Sequence, residues 1–147
     1  MAKQSDIQLI SEMRTTVTRL VKKLRKHSVT GMTLSLTERS AMGLLYNEGE
    51  MLPNELATAE KITNQSMSQI LNHLTEIGYI NRRLSKEDKR KSYISLSAKG
   101  KAAIEQVRNE KDNWLYQAVM SACTSEEIAV LKKALVPLQK IVDFDDN

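Results

Sequence analysis

The sequence has one cysteine, Cys123, and two histidines, His27 and His73, in 147 residues. A lone cysteine excludes an intramolecular disulfide and suits a reducing compartment. Two distant histidines, with no Cys or acidic cluster beside them, do not match the spacings of a metal site. Phe, Trp and Tyr together make up only 4% of the chain, whereas Met occurs seven times. Apolar packing must therefore rest on Leu, Ile, Val and the adaptable Met side chain. No apolar run approaches the roughly 20 residues that cross a bilayer. The first residues, MAKQSDIQLI, lack an apolar stretch of signal-peptide length, so the expected location is the cytoplasm, away from membrane. A phosphate-cradling glycine loop, a Gly-x-Ser-x-Gly elbow and a His-rich pattern are all missing. The expectation is a protein that is not an enzyme and has no cofactor or metal.

The chain is 41% apolar and 27% charged, a composition that suits a soluble globular protein. Its length fits one domain, or one domain with a helical extension used for pairing. The net charge is only +4, but it is segmental. Residues 14–26 hold Arg14, Arg19, Lys22, Lys23, Arg25 and Lys26 with no acid among them. Residues 82–101 carry eight Lys and Arg side chains against Glu87 and Asp88, and the C-terminus reverses sign at Asp143, Asp145 and Asp146.

Ile10, Met13, Val17, Leu20 and Leu24 recur at steps of three and four, which predicts a long amphipathic first helix ending near Gly31. Ile128, Leu131, Leu135, Leu138 and Val142 repeat that spacing in a last helix opened by Thr124 or Ser125. Pro137 should kink or end it. Between these, a second helix starts at Ser35 or Thr37 and stops at Gly49. A short third one runs from Pro53 with Leu56 and Ala57 inward. After a break at Ile62 and Thr63, a fourth helix places Met67, Ile70, Leu71, Leu74 and Ile77 inward until Gly78. Its opposite face collects Gln65, Ser68, Gln69, Asn72 and His73, polar but almost uncharged. An ordinary solvated face carries Glu and Lys, so this composition suits a surface desolvated against polar groups. YINRRL and SYISL then form a hairpin, with Ile80 and Leu84 on one side, and Ser97 caps a long helix containing Ile104, Val107 and Trp114.

A short helix, a turn and a second helix with a polar outer face make a helix-turn-helix, and a basic hairpin directly after it makes the winged form. Gln and Asn can pair bidentately with an adenine edge, and Ser and Thr can bond bases or phosphates. The N-terminal end near Thr63, Asn64 and Gln65 suits a phosphate. The wing cations, Arg82, Arg83, Lys86, Lys89, Arg90 and Lys91, would neutralise phosphates, and one arginine would enter the minor groove. Asp88, an acid among bases, is best explained as a group that orients Arg90. The fold expected is mainly α with a small β-hairpin, a winged helix-turn-helix over residues 34–97 and a helical dimerisation region formed by residues 1–33 and 98–147.

The run LATAEKITNQSMSQILNHLTEIGYINRRLSKEDKRKSYISLSAKGK resembles the MarR-type regulators. The resemblance is carried by Leu56 with Ala57, by Leu74 followed by Gly78, Tyr79 and Ile80, by the Asp88-Lys89-Arg90 wing motif and by ISLSAKG. It implies a ligand-responsive homodimeric repressor joined through its first and last helices, bound to a pseudo-palindromic duplex by recognition helix and wing. By position the recognition residues are Gln65, Ser66, Ser68 and Gln69, the last standing where many relatives carry Arg. The dimer seam would use Ile10, Met13, Val17, Ile128, Leu131, Leu135 and Leu138. The family also implies a ligand cleft, for which Arg14, Met42, Tyr46 and Trp114 are candidate lining residues and a small aromatic or phenolic effector a candidate ligand. The competing reading is a helical interaction protein whose basic first helix lies on anionic membrane or an acidic partner; it leaves the face from Gln65 to His73 without a purpose.

Overall fold

Ser35, Thr63, Ser97 and Thr124 each accept a hydrogen bond from a first-turn N–H and so mark where a helix begins. The computed structural model describes residues 1–145; Asp146, and with it the end of the 98–147 region, lies outside the described residues. The first helix, α1, is Gln4–Lys26, with Lys23, Arg25 and Lys26 in a last turn whose negative dipole end they complement. It stops short of Gly31 because residues Thr30–Thr33 form a separate 3-10 turn. The second, α2, Leu36–Glu48, opens with a reciprocal cap: the Ser35 hydroxyl accepts from the Glu38 N–H at 3.0 Å, and the Glu38 carboxylate accepts from the Ser35 N–H at 3.2 Å. A two-residue strand, β1, Glu50–Met51, follows.

Next come α3, Pro53–Glu60, and α4, Asn64–Glu76. The sharp turn between them is made by Lys61, a non-glycine residue at φ 55°, and Thr63 then caps α4 by accepting from the Ser66 N–H at 3.0 Å. Gly78 closes α4 with φ 78°, a conformation that a Cβ penalises. The strands β2, Ile80–Leu84, and β3, Ser92–Leu96, pair antiparallel with Ile80 opposite Leu96 and Leu84 opposite Ser92. β1 adds to the far edge of β3, so the expected hairpin is a three-stranded sheet in the order β1-β3-β2. Leu84 is on the same face of β2 as Ile80 but lies exposed, where the sheet runs out into the wing.

The long helix α5, Ala98–Ala122, and the last, α6, Ser125–Val142, complete the chain. Thr124 and Glu127 cap α6 reciprocally. Pro137 neither ends nor shortens α6, which runs on to Val142 at the cost of one backbone hydrogen bond. At the start of α5, Ser97 acts in two directions. Its hydroxyl donates to the Gly78 carbonyl at 2.6 Å and accepts from the Gly100 N–H at 3.0 Å. Lys99 adds a bond from its ammonium to the Ile77 carbonyl at 2.9 Å. Gly100 is needed for this approach, since a Cβ there would sit 2.0 Å from the Tyr79 carbonyl oxygen.

Two compact units divide within α5, Met1–Lys111 and the remainder from Asp112. The core of the first gathers Met42 and Leu45 of α2, Leu56 of α3, Met67, Leu71 and Leu74 of α4, Ile94 of β3 and Ile104 of α5. Burying each such side chain contributes about 1.5–3 kcal/mol. No residue of α1 or α6 is buried, and neither is any described residue from Asp112 onward.

Candidate nucleic-acid interface

Burying Met67, Leu71 and Leu74 fixes the rotation of α4 about its axis and turns the opposite face outward. Thr63, Asn64, Gln65, Ser66, Ser68, Gln69 and Asn72 are all exposed there. His73 is exposed too but departs from that group in being engaged: its Nδ1 is hydrogen-bonded to the Glu38 carboxylate at the start of α2, so it also braces two helices. Burial by itself would push the Glu38 carboxyl up, but the bonds from His73 and Ser35 outweigh it and hold the group below the usual glutamate range.

The wing is built around a buried serine. Ser85 Oγ accepts from the N–H groups of Glu87 and Asp88, its own N–H donates to the Lys91 carbonyl at 2.9 Å, and the Lys91 N–H returns to Asp88 at 2.9 Å. Within this loop Asp88 takes three bonds from Arg90. Oδ1 accepts from the backbone N–H at 3.0 Å and from Nε at 3.1 Å, and Oδ2 accepts from Nη2 at 3.3 Å. The Arg90 side chain is 91% exposed but no longer free in direction. The same bonds, first those of the guanidinium, hold the Asp88 carboxyl below its usual range. Lys86, Lys89 and Lys91 are exposed beside it.

Arg83 is the second departure. Its Nε and Nη2 hold the two Glu50 oxygens at 3.0 and 2.9 Å, and its guanidinium lies 4.8 Å from the centre of the Tyr93 ring. It clamps β2 across β3 to β1 on the exposed surface of the sheet, where that edge is already engaged. Arg82 is exposed too and reaches Asn72 only at 3.5 Å, too long to hold it. Arg82, Arg90 and Lys91 line one open cleft of about 370 Å³ together with Asn64 and Ser68 of α4 and the start of α3. The start of the outward helix and the wing cations thus share one concave, positively charged surface.

A second cavity, of about 390 Å³, lies between α1, α2 and the first half of α5. Val21, Leu24, Ile104 and Val107 give it apolar walls, and Arg25, Arg39, Arg108 and Lys111 bring four cations to it. The four residues expected from the sequence do not line it. Met42 is fully buried in the core, Arg14 is exposed, and Tyr46 and Trp114 are half-buried. Tyr46 is held elsewhere, its hydroxyl donating to Glu105 at 3.0 Å with Arg108 4.4 Å over its ring. The missed signal was a helical one. Ile104, Val107, Arg108 and Lys111 share one face of α5, so cations at three-four spacing inside an apolar stripe marked the site.

Of the expected seam residues, Ile10, Val17, Leu131, Leu135 and Leu138 are exposed, and Met13 and Ile128 are half-buried. Among the described residues no group of His, Cys, Asp and Glu could hold a metal, and no helix is long and apolar enough to cross a membrane.

Comparison with known proteins places this geometry. The MarR family model matches residues 34–92. Over 139 residues the chain is 30% identical to an uncharacterized HTH-type transcriptional regulator of Mycobacterium bovis, covering 95% of this chain and 96% of that one. Among solved structures it is similar to a transcriptional regulator protein of Pseudomonas aeruginosa, with a TM-score of 0.87 at 24% identity over 98% of this chain and 100% of that one. It is also similar to a mutant of S. aureus MepR bound to an oligodeoxyribonucleotide, with a TM-score of 0.71 at 20% identity over 92% and 98% of the two chains. With a winged helix-turn-helix whose outer helix and wing face one cleft, the chain is a member of the MarR family of transcriptional regulators.

Proposed function

We propose that this regulator binds a pseudo-palindromic duplex as a homodimer, acts as a repressor by occupying it, and releases it when a small ligand enters the α1-α2-α5 cavity. The observation that carries the reading is the shared cleft, where Asn64 and Ser68 of α4 stand beside Arg82, Arg90 and Lys91. Ser68, Gln69 and Asn72 offer donors and acceptors at the spacing of a helix laid in a major groove, with the N-terminus of α4 turned to a phosphate. Arg90, already aimed by Asp88, enters the adjoining minor groove. The S. aureus MepR mutant, which shares the fold, is bound to an oligodeoxyribonucleotide, and this agrees with DNA as the partner.

Pairing is supported by the exposed apolar residues of α1 and α6. Ile7, Ile10, Val17, Leu131, Leu135 and Val136 are each about half exposed, more apolar surface than a solitary chain leaves uncovered. A symmetric partner presenting the same surfaces would bury them and set two copies of α4 one helical turn apart. The membrane-surface alternative leaves the outer face of α4 without a use.

The test is a fluorescence-anisotropy titration on duplex flanking the chain's own coding region, against a scrambled duplex, between about 50 and 200 mM salt. A steep fall of affinity with salt for both duplexes and tighter binding of the first are expected. A double variant, Ser68→Ala with Gln69→Ala, should erase the preference while leaving the scrambled duplex bound as before. A preference that survives the double variant would remove α4 as the reading element.

A further inference from the structure

Ser66, Gln69 and His73 follow one another at steps of three and four, so they form one line along the exposed side of α4. His73 stands in this line with a ring that the protein has already oriented. Its Nδ1 is bonded to Oε2 of Glu38, and Oε1 of the same carboxylate accepts from the Ser35 N–H at 3.2 Å. The His73 side chain is 45% exposed, that of Glu38 only 12%. Glu38 is therefore the fixed anchor, and the imidazole is the part that meets solvent.

The bond decides where the ring keeps its protons. Against the upward push of burial, the bonds from His73 and Ser35 hold the Glu38 carboxyl below the usual glutamate range, so near neutrality it only accepts. Nδ1 must then carry a hydrogen, and a proton that the ring gains or loses is the one on Nε2. The neutral ring has a bare Nε2, an acceptor with nothing to offer a phosphate. The charged ring has an Nε2–H, a donor that a phosphate accepts strongly. The other charged groups around this end of α4 have places of their own. Glu60 of α3 is bonded to the Ser40 hydroxyl, Arg82 of β2 is turned toward Asn72, Lys99 of α5 bonds the Ile77 carbonyl, and Glu76 is exposed one turn on along α4. The charge that acts on Glu38 is that of His73.

We propose that His73 is a proton-coupled DNA contact: with Nδ1 fixed by Glu38, Nε2 takes up a proton from solvent as the duplex binds and donates it in a hydrogen bond to a backbone phosphate on the α2 side of the groove. This rests on the duplex-binding reading above and adds to it a dependence on pH.

The experiment measures duplex affinity by anisotropy on the intact protein, at fixed salt, between about pH 6 and pH 8, the range in which an imidazole ordinarily titrates. Affinity should fall about tenfold or more as pH rises, and calorimetry in two buffers of different ionisation heat should show uptake of up to about one proton per protomer. The salt slope should be steeper at the acid end by about 0.9 per protomer, the mark of an added phosphate contact; an unchanged slope overturns the phosphate assignment. His73→Gln keeps a donor for Glu38 but cannot be charged, and should flatten the pH profile. His73→Arg, charged throughout, should flatten it at the tighter level. His27→Gln removes the other histidine and should leave the profile as in the parent. A flat profile in the parent, or one that survives His73→Gln, overturns the proposal. So does an His73→Gln variant that binds more weakly by the same factor at every pH, since a lost brace alone would do that. A duplex that fails to bind at any pH removes the DNA-binding reading itself, an outcome distinct from binding that ignores pH.

Discussion

At the scale of single residues, the wing makes the sharpest predictions. Arg90→Ala should weaken duplex binding by about 1–3 kcal/mol on every sequence and reduce the salt slope by about one unit, read by anisotropy at several salt concentrations. Asp88→Asn separates direction from charge. It adds a unit of positive charge, so simple attraction predicts tighter binding, whereas loss of the bonds that aim Arg90 predicts weaker binding; the weaker outcome is expected. Glu38 gives a pH signature. Its folded-state pKa is depressed, so the stability it contributes is present above the unfolded value of about 4.3 and is lost as pH falls through the folded value. A series of thermal melts from neutral to acid pH should show that loss in the parent chain, while Glu38→Gln should be less stable at neutral pH and show a shallower decline. Gly100→Ala should lower the melting midpoint, costing about 1–3 kcal/mol or more, because the new Cβ must displace the Tyr79 carbonyl.

Elements differ in how far their sequence revealed them. The caps at Ser35, Thr63, Ser97 and Thr124 and the closing glycines Gly49 and Gly78 are local chemistry, and α2, α4, α5 and α6 start or stop at them as read. The inner stripe of α4 was legible for the same reason, since three-four spacing is a property of the helix itself. β1 was not legible, because two residues carry no period and pair only through the distant Ser95 and Ile94. The role of Arg83 was hidden likewise: one basic residue in a basic run looks like its neighbours until Glu50, 33 positions away, is brought to it. The cavity side chains were missed because cations were sorted by segment instead of by helix face. Pro137 shows a propensity overridden. α6 continues through it, so Pro137→Ala should restore one backbone bond and raise helix stability by up to about 3 kcal/mol, measurable as a higher melting midpoint.

At the scale of the whole molecule, the proposed pairing rests on the exposed apolar residues of α1 and α6. Leu131→Glu together with Leu135→Glu places two like charges where a dry seam is expected, and light scattering should then give the mass of one chain. Duplex affinity should fall about a hundredfold or more, because two linked half-site contacts become one. The double hydrogen bonding of Ser97, with Lys99 beside it, carries a mechanical meaning. Ile77 and Gly78, which close α4, are stitched to the first turn of α5, the helix that walls the cavity further along. On the proposed function this gives a push on that wall a short route to α4, and Ser97→Ala should leave duplex binding intact while weakening its release by ligand, read by anisotropy.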